Sequence, residues 1–117
     1  MGGIDREIIV VDNGSMDGSE NIALNFQFPI SNFQLIRNKS NLGFALANNQ
    51  GVKIAKGKYI LLLNNDTTVK KDFLSQMVER AEEDESIGVI QPKIYLMDRP
   101  GYLDNAGSFM TRIGFLE

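Results

Sequence analysis

The sequence predicts an α/β fold with a three-layer, mainly parallel sheet, on three observations. Short apolar runs stop abruptly at polar turn formers, as strands do where they leave a core. The stretches between those runs are about the length of a helix, which suits crossover connections and parallel strands. One run, Tyr59 to Leu63, is five large apolar residues without alternation, the pattern of a strand buried on both faces.

The elements follow in chain order. Glu7 to Asp12 is a β-branched run that stops at Asp12-Asn13-Gly14-Ser15, so a strand and then a loop are expected. Asp17, with Glu20 three residues later, fits a helix N-cap and its reciprocal partner, and Ile22, Ala23 and Phe26 supply one apolar face of a short helix ending near Phe28-Pro29. Phe33 to Arg37 reads as the second strand, and Asn38 to Asn41 as a polar loop. Asn41 is placed to cap a helix from Leu42 to about Lys56, and Gly57 suits a left-handed position that ends it. Lys58 to Leu63 is the expected third strand. Phe73, Leu74, Met77, Val78 and Ala81 then recur at helical spacing, opposite Lys71, Gln76, Glu79 and Glu82. Ile87 to Ile90 is the expected fourth strand, and Lys93 to Met97 an extended segment. From Asp98 onward Pro100, Gly101, Gly107 and Gly114 break any periodicity, leaving loops and short strands.

Composition removes several function classes. The chain has 117 residues, enough for one domain, with 43% hydrophobic and 23% charged residues, so disorder is not expected. A net charge of −3 supplies no basic field for nucleic acid, and Lys70-Lys71 is the only adjacent basic pair. Without cysteine there is no disulfide framework or thiolate metal site, and without histidine no imidazole ligand or Ser-His triad. Any base or metal ligand must be a carboxylate, an amide, a hydroxyl or a lysine. No apolar run approaches the ~20 residues that cross a bilayer, and no signal-peptide pattern follows Met1, so a cytoplasmic chain is expected, with the inner face of a membrane as a further location.

The chemistry-bearing residues gather at strand ends. Asp12-Asn13-Gly14-Ser15 and Asn64-Asn65-Asp66 each follow an expected strand, and in a parallel sheet both lie at the carboxyl edge where ligands bind. Asp12 and Asp66 are therefore expected to face a common crevice. Between them, Asn41-Leu42-Gly43 enters a helix whose first N–H groups favour an anion; Gly43 would allow close approach of a phosphate, and Asn48 and Asn49 could bond to sugar hydroxyls. A carboxylate such as Asp66 can ligate a divalent cation, while Asn64 and Asn65 can bond to phosphate or sugar oxygens. The same residue types also build plain turns and caps, and local sequence leaves both readings open. A Rossmann-type dehydrogenase is excluded, since no Gly-x-Gly-x-x-Gly follows the first strand.

Three stretches in order, Glu7 to Ser19, Asn41 to Ala45 and Gly57 to Thr67, resemble the family 2 glycosyltransferases, inverting nucleotide-sugar enzymes of the GT-A fold. The likeness extends through Asp104-Asn105-Ala106-Gly107 and so over nearly the whole chain. Asn-Leu-Gly-Phe and Leu-Asn-Asn-Asp-Thr look most like the rhamnosyltransferase-type branch, which builds surface polysaccharides. The resemblance implies a partial GT-A (nucleotide-diphospho-sugar transferase) fold over residues 1–117, with 98–117 an irregular tail. It implies that Asp12 contacts the nucleotide base and that Gly43, with the helix after it, lies against the nucleotide. Asn64-Asn65-Asp66 resembles the Asp-x-Asp motif, with Asp66 as ligand of a divalent metal, Mn2+ or Mg2+, that bridges a diphosphate. The first acid of that motif is an amide here, Asn64, which removes one negative charge from the metal site. The implied partners are a UDP- or dTDP-sugar and a glycan or lipid-linked acceptor.

Against the family pattern the chain enters at the second strand, and it reaches Glu117 before the acceptor pocket and the Glu-Asp-like catalytic base. The catalytic base is unknown: Asp104, the nearest candidate, reads as a turn residue. A central piece that binds donor but transfers little sugar alone is one expectation. The other is a non-catalytic module that forms a homo-oligomer through unpaired sheet edges.

Overall fold

β-branched residues make the first strand, and a parallel neighbour fixes it. In the computed structural model, which describes residues 5–25 and 32–106, Ile8–Asp12 (β1) pairs in parallel with Phe33–Arg37 (β2), from Ile8 opposite Phe33 to Asp12 opposite Arg37. The pairing continues past both ends: Ile8 N–H donates to the Asn32 carbonyl and Asn38 N–H to the Asp12 carbonyl, each at 2.9 Å. Helix Ser19–Asn25 (α1) lies in the crossover between the two strands, and Phe44–Ile54 (α2) packs on β1. Small residues allow that packing. A Cβ on Gly51 would sit 3.5 Å from Val11 Cγ2 and 3.7 Å from Ile9 Cγ2, and Ala47, one turn earlier on the same face, is the buried apolar residue among those described. The chain divides into two units, Met1–Thr67 and Thr68–Glu117.

The α/β class and the parallel pairing match the sequence; several boundaries do not. α1 starts at Ser19, not behind an Asp17 cap: Gly18 takes φ +84°, and the Asp17 carboxylate accepts from Ser19 N–H at 3.0 Å and Ser19 Oγ at 2.6 Å. The acid is spent on a turn two residues long. Ile22, expected on an apolar face, is 69% exposed. Phe26 and the helix end expected near Phe28-Pro29 lie outside the described residues, as do Gly107 and Gly114. α2 begins at Phe44, because Asn41 Oδ1 accepts from Gly43 N–H at 2.8 Å and Gly43, at φ +84°, is not helical. It ends at an extended Ala55 rather than a left-handed Gly57.

Residues 58–63 and 87–90 do not form the third and fourth strands. A strand exists by its ladder, and no second segment among the described residues supplies one to either. Ile60, Leu61, Leu62 and Leu63 stay between 40% and 55% exposed, and Val89 is 89% exposed. The apolar pattern of Tyr59 to Leu63 is that of a buried strand, but the structure gives the segment no ladder.

The second unit holds Phe73–Glu82 (α3) and a hairpin of Ile94–Tyr95 (β3) and Leu103–Asn105 (β4). α3 follows its sequence periodicity: Phe73, Leu74, Met77, Val78 and Ala81 are half-buried, while Lys71, Gln76, Glu79 and Glu82 are exposed. Tyr95 pairs with Leu103 and Ile94 with Asn105, so Asp104 is the extra residue of a bulge on β4. It is thus a strand residue, and the expectation of a turn there is corrected. No helix of the described residues is long and apolar enough to cross a membrane.

Among the described glycines, Gly14 leaves the least room for a side chain. Its φ is +88°, and a Cβ there would fall 2.8 Å from the Ser40 carbonyl carbon. Gly18 has a similar φ of +84° with nothing within 4 Å. Gly18→Ala is expected to cost about 1 kcal/mol of backbone strain, and Gly14→Ala at least about twice that, since strain and backbone collision add. Thermal unfolding of the two variants checks the order; equal midpoints would contradict it.

Candidate functional site

The site is built where β1 and β2 end side by side. Asp12, the last residue of β1, turns its carboxylate back on its own loop, where Oδ1 accepts from Ser15 N–H at 3.0 Å. Hydrogen bonds from Ser15 hold this carboxyl below the ordinary aspartate value, and Arg37, its register partner on β2, adds to the effect. Asp12 is therefore an anion at neutral pH, with Oδ2 still able to accept.

Asn13, the next residue, joins this turn to the loop that enters α2. Its Oδ1 accepts from Leu42 N–H at 3.0 Å and from Asn38 Nδ2 at 3.2 Å. Its Nδ2 donates to Asn41 Oδ1 at 2.8 Å and to the Gly43 carbonyl at 3.3 Å. Asn38 in turn exchanges hydrogen bonds with Gln50 of α2, Nδ2 to Oε1 at 2.8 Å and Gln50 Nε2 to Asn38 Oδ1 at 3.0 Å. Four amide side chains thus hold two strand ends and a helix in one arrangement without using a charge. The loop ends at Gly43, which precedes α2 with no side-chain cap and has nothing within 4 Å of where a Cβ would stand. Open space lies over backbone at the N-terminus of a helix.

The structure brings three of the sequence-predicted residues, Asp12, Asn41 and Gly43, into one cluster. Asn41 is there as a loop brace rather than a cap. Asn64, Asn65 and Asp66 are exposed, and among the described residues no hydrogen bond ties them to Asp12 or to the Asn41–Gly43 loop. Thr67 Oγ1 donates to the Asn64 carbonyl at 2.7 Å, closing a short turn around Asn65 and Asp66. Asn48 spends its Nδ2 on the Phe44 carbonyl at 2.9 Å, while Asn49 is exposed and lines a shallow hollow of about 260 Å³ with Leu42, Leu46 and Lys53.

Sequence reasoning missed Asn13, Asn38, Gln50 and Glu7 as structural determinants of this site. The first two carried a signal: Asp12 pairs with Arg37, so Asn13 and Asn38 are each the next residue beyond a paired strand end. Glu7, half-buried at the start of β1, accepts through Oε1 from Lys56 N–H at 2.6 Å and Gly57 N–H at 3.0 Å. It anchors the point from which the chain leaves for Asn64–Asp66.

No three acids converge on a metal position among the described residues. Asp66 offers one carboxylate, flanked by the amides of Asn64 and Asn65, all open to solvent. That donor set is too small for an ion held by protein alone, and it fits an ion shared with the oxygens of a bound diphosphate.

Residues 3–112 match the family described as Glycosyl transferase family 2. Over 84 residues, 72% of this chain and 28% of the relative, it is 32% identical to the Glycosyltransferase GlyG of Streptococcus pneumoniae. It is 34% identical over 82 residues to the Cholesterol galactosyltransferase of Borreliella burgdorferi, 70% of this chain and 23% of the relative. With the Succinoglycan biosynthesis protein ExoO of Rhizobium meliloti it shares 38% identity over 80 residues, 68% of this chain and 22% of the relative. The aligned region thus spans about a quarter of the length of these relatives. No solved structure matches the chain.

Two measurements test the local chemistry. Asp12 binds its proton more weakly when folded, so the associated stability is present above the ordinary aspartate value and is lost as pH falls through the lower folded value. In Ser15→Ala the Asp12 titration, followed by carboxyl NMR, is expected to move up toward the ordinary value; an unchanged midpoint contradicts the assigned cause. Glu7→Ala removes the side-chain oxygen that accepts from two N–H groups and is expected to cost about 2 kcal/mol, with Glu7→Gln losing less. Denaturant midpoints of the two variants decide it.

Proposed function

Because the chain belongs to glycosyl transferase family 2, we propose that it forms the donor side of an inverting glycosyltransferase, binding a nucleoside-diphosphate sugar at the carboxyl ends of β1 and β2. The observation that carries this reading is the joint between the Asp12 turn and the Asn41–Gly43 loop, which sets an anionic acceptor beside an uncapped helix N-terminus. That edge of a parallel α/β sheet is where ligands bind.

The roles follow from what each group has left to offer. Asp12 accepts from a base or ribose donor through Oδ2, its other oxygen being held by Ser15. Gly43 presents bare backbone, and the first N–H groups of α2 favour a phosphate close to it. Asn41 keeps the loop in place. Asp66 would hold a divalent metal, Mn2+ or Mg2+, together with the diphosphate, with Asn64 and Asn65 bonding to phosphate or sugar oxygens. When bound, such an ion offsets the charge that accumulates on a nucleoside diphosphate as it leaves. The amide at Asn64 in place of an acid makes metal affinity depend on the nucleotide's own charge.

UDP- or dTDP-sugars are the proposed donors, a glycan or lipid-linked molecule the acceptor, and rhamnosyl-type transfer the branch, supported by Asn41-Leu42-Gly43-Phe44 and Leu63-Asn64-Asn65-Asp66-Thr67. No residue here is assigned as the catalytic base. A second reading, a module that self-associates through its apolar 60–63 segment, draws on the 40% to 55% exposure of those four side chains. A stable monomer at micromolar concentration in sedimentation would remove it.

Calorimetric titration of UDP and dTDP, with and without Mn2+, tests the donor site. Binding is expected to tighten with the metal, and Asp66→Ala to weaken the metal-dependent part by roughly tenfold or more, since it deletes the one carboxylate of the set. Failure of both diphosphates to bind at millimolar concentration with Mn2+ present would overturn the reading.

A further inference from the structure

We propose that Asn13 is the positioning residue of the Asn41–Gly43 loop, and that this position requires an amide: a carboxylate there would release the loop. The inference rests on the reading of that loop as part of the donor site.

A side-chain amide has two N–H donors and two acceptor lone pairs. All four of Asn13 are engaged inside the protein, by Leu42 N–H and Asn38 Nδ2 on the oxygen and by Asn41 Oδ1 and the Gly43 carbonyl on the nitrogen. Asn13 has nothing left for a ligand and acts only through the backbone it holds. That backbone is the stretch leading into Gly43, whose φ of +84° must be kept for α2 to begin at Phe44.

An ionised aspartate is isosteric with asparagine but only accepts. At position 13 one of its oxygens would face two acceptors, Asn41 Oδ1 and the Gly43 carbonyl, and both hydrogen bonds would become repulsions. Asn41 cannot relieve this by turning its amide, because its Oδ1 also accepts from Gly43 N–H at 2.8 Å, and turning would set donor against donor there. Protonating the new carboxyl restores one donor. Loop order in the aspartate variant therefore depends on pH, whereas the native amide network does not titrate. The neighbouring charged groups are Asp12 and Asp17 on the same turn, Arg37 and Lys39 on the β2 side, and Lys53, the charged residue of α2. The native protein carries all of them, so the difference between the two profiles belongs to the new group.

The test is amide hydrogen exchange by NMR at Leu42 and Gly43 between pH 4 and 7.5, in the native chain, Asn13→Asp and Asn41→Ala. Protection of β1 and β2 amides confirms that each variant keeps the strand pair. Asn13→Asp is expected to exchange roughly tenfold faster at both positions at neutral pH, after correction for intrinsic rates, and to recover as its carboxyl protonates. Asn41→Ala is expected to show a comparable loss at Gly43 with no recovery. Native rates in Asn13→Asp across the range, or an increase without pH dependence, would overturn the proposal. These readouts involve no nucleotide, so a chain that binds no diphosphate would sink the donor-site reading and leave this one standing. If diphosphate binds, its affinity for Asn13→Asp is expected to be lower at pH 7 than at acid pH relative to native; unchanged affinity over a loosened loop would break the link to the donor site.

Discussion

The parallel pairing of β1 with β2 is the constraint on which the rest of the first unit depends. Parallel strands of five residues bring few hydrogen bonds of their own, so their relative position is set as much by what happens beyond their ends. Here the ladder runs on through Asn38 N–H to the Asp12 carbonyl, and then through side chains, Asn13 to Asn38, Asn41 and Leu42. Gly14 lets the two loops touch backbone to backbone, at a spacing that admits no Cβ. The candidate site is the continuation of the sheet by other means, and its geometry is only as good as the strand register beneath it.

The joint is made of amides, which matters for its chemistry. A network of ionised groups in the same place would add fixed charge beside Asp12 and would loosen or tighten with pH and salt. Neutral amides satisfy one another and add no charge to the turn that carries Asp12 and Asp17, with Arg37 as the register partner of Asp12. Asp12, whose charge is felt by Arg37 and Asp17, and the helix N-terminus then face the loop together with opposite sign. Such a pair suits a ligand that carries both donors and a phosphate, because each end of the ligand finds its own partner.

Much of this was legible from residues alone. β1 and β2 could be read because their apolar runs stop at unmistakable turn formers, and α3 because its apolar and polar faces separate cleanly at a helical period. Asp12, Asn41 and Gly43 could be named as a group because parallel strands deliver their ends to one edge. Their mutual geometry could not be read. Asn41 has the residue type of a cap, and only the left-handed Gly43 two residues on decides that its oxygen turns to the loop rather than to the helix. Asp17 fails as a cap for a parallel reason, with Gly18 intervening. In both cases a glycine's backbone, invisible to side-chain patterning, moved the helix start.

The run from Tyr59 to Leu63 shows the opposite error, where the local signal is strong and the structure withholds its partner. Unbroken apolar residues state that both faces of a segment are to be covered, but they say nothing about which strand lies alongside. Without a ladder the segment runs from the N–H groups of Lys56 and Gly57, held by Glu7, to the Thr67 turn around Asp66. Asp66 thus sits on a short turn of its own, outside the amide joint that organises Asp12. A ligand spanning the two would bring together groups that the backbone does not tie, and part of its binding energy would be spent on ordering them. The loop after β1 is preorganised and the Asp66 turn is not tied to it, so a ligand reaching both would meet a fixed Asp12–Gly43 cluster and would itself have to order Asp66.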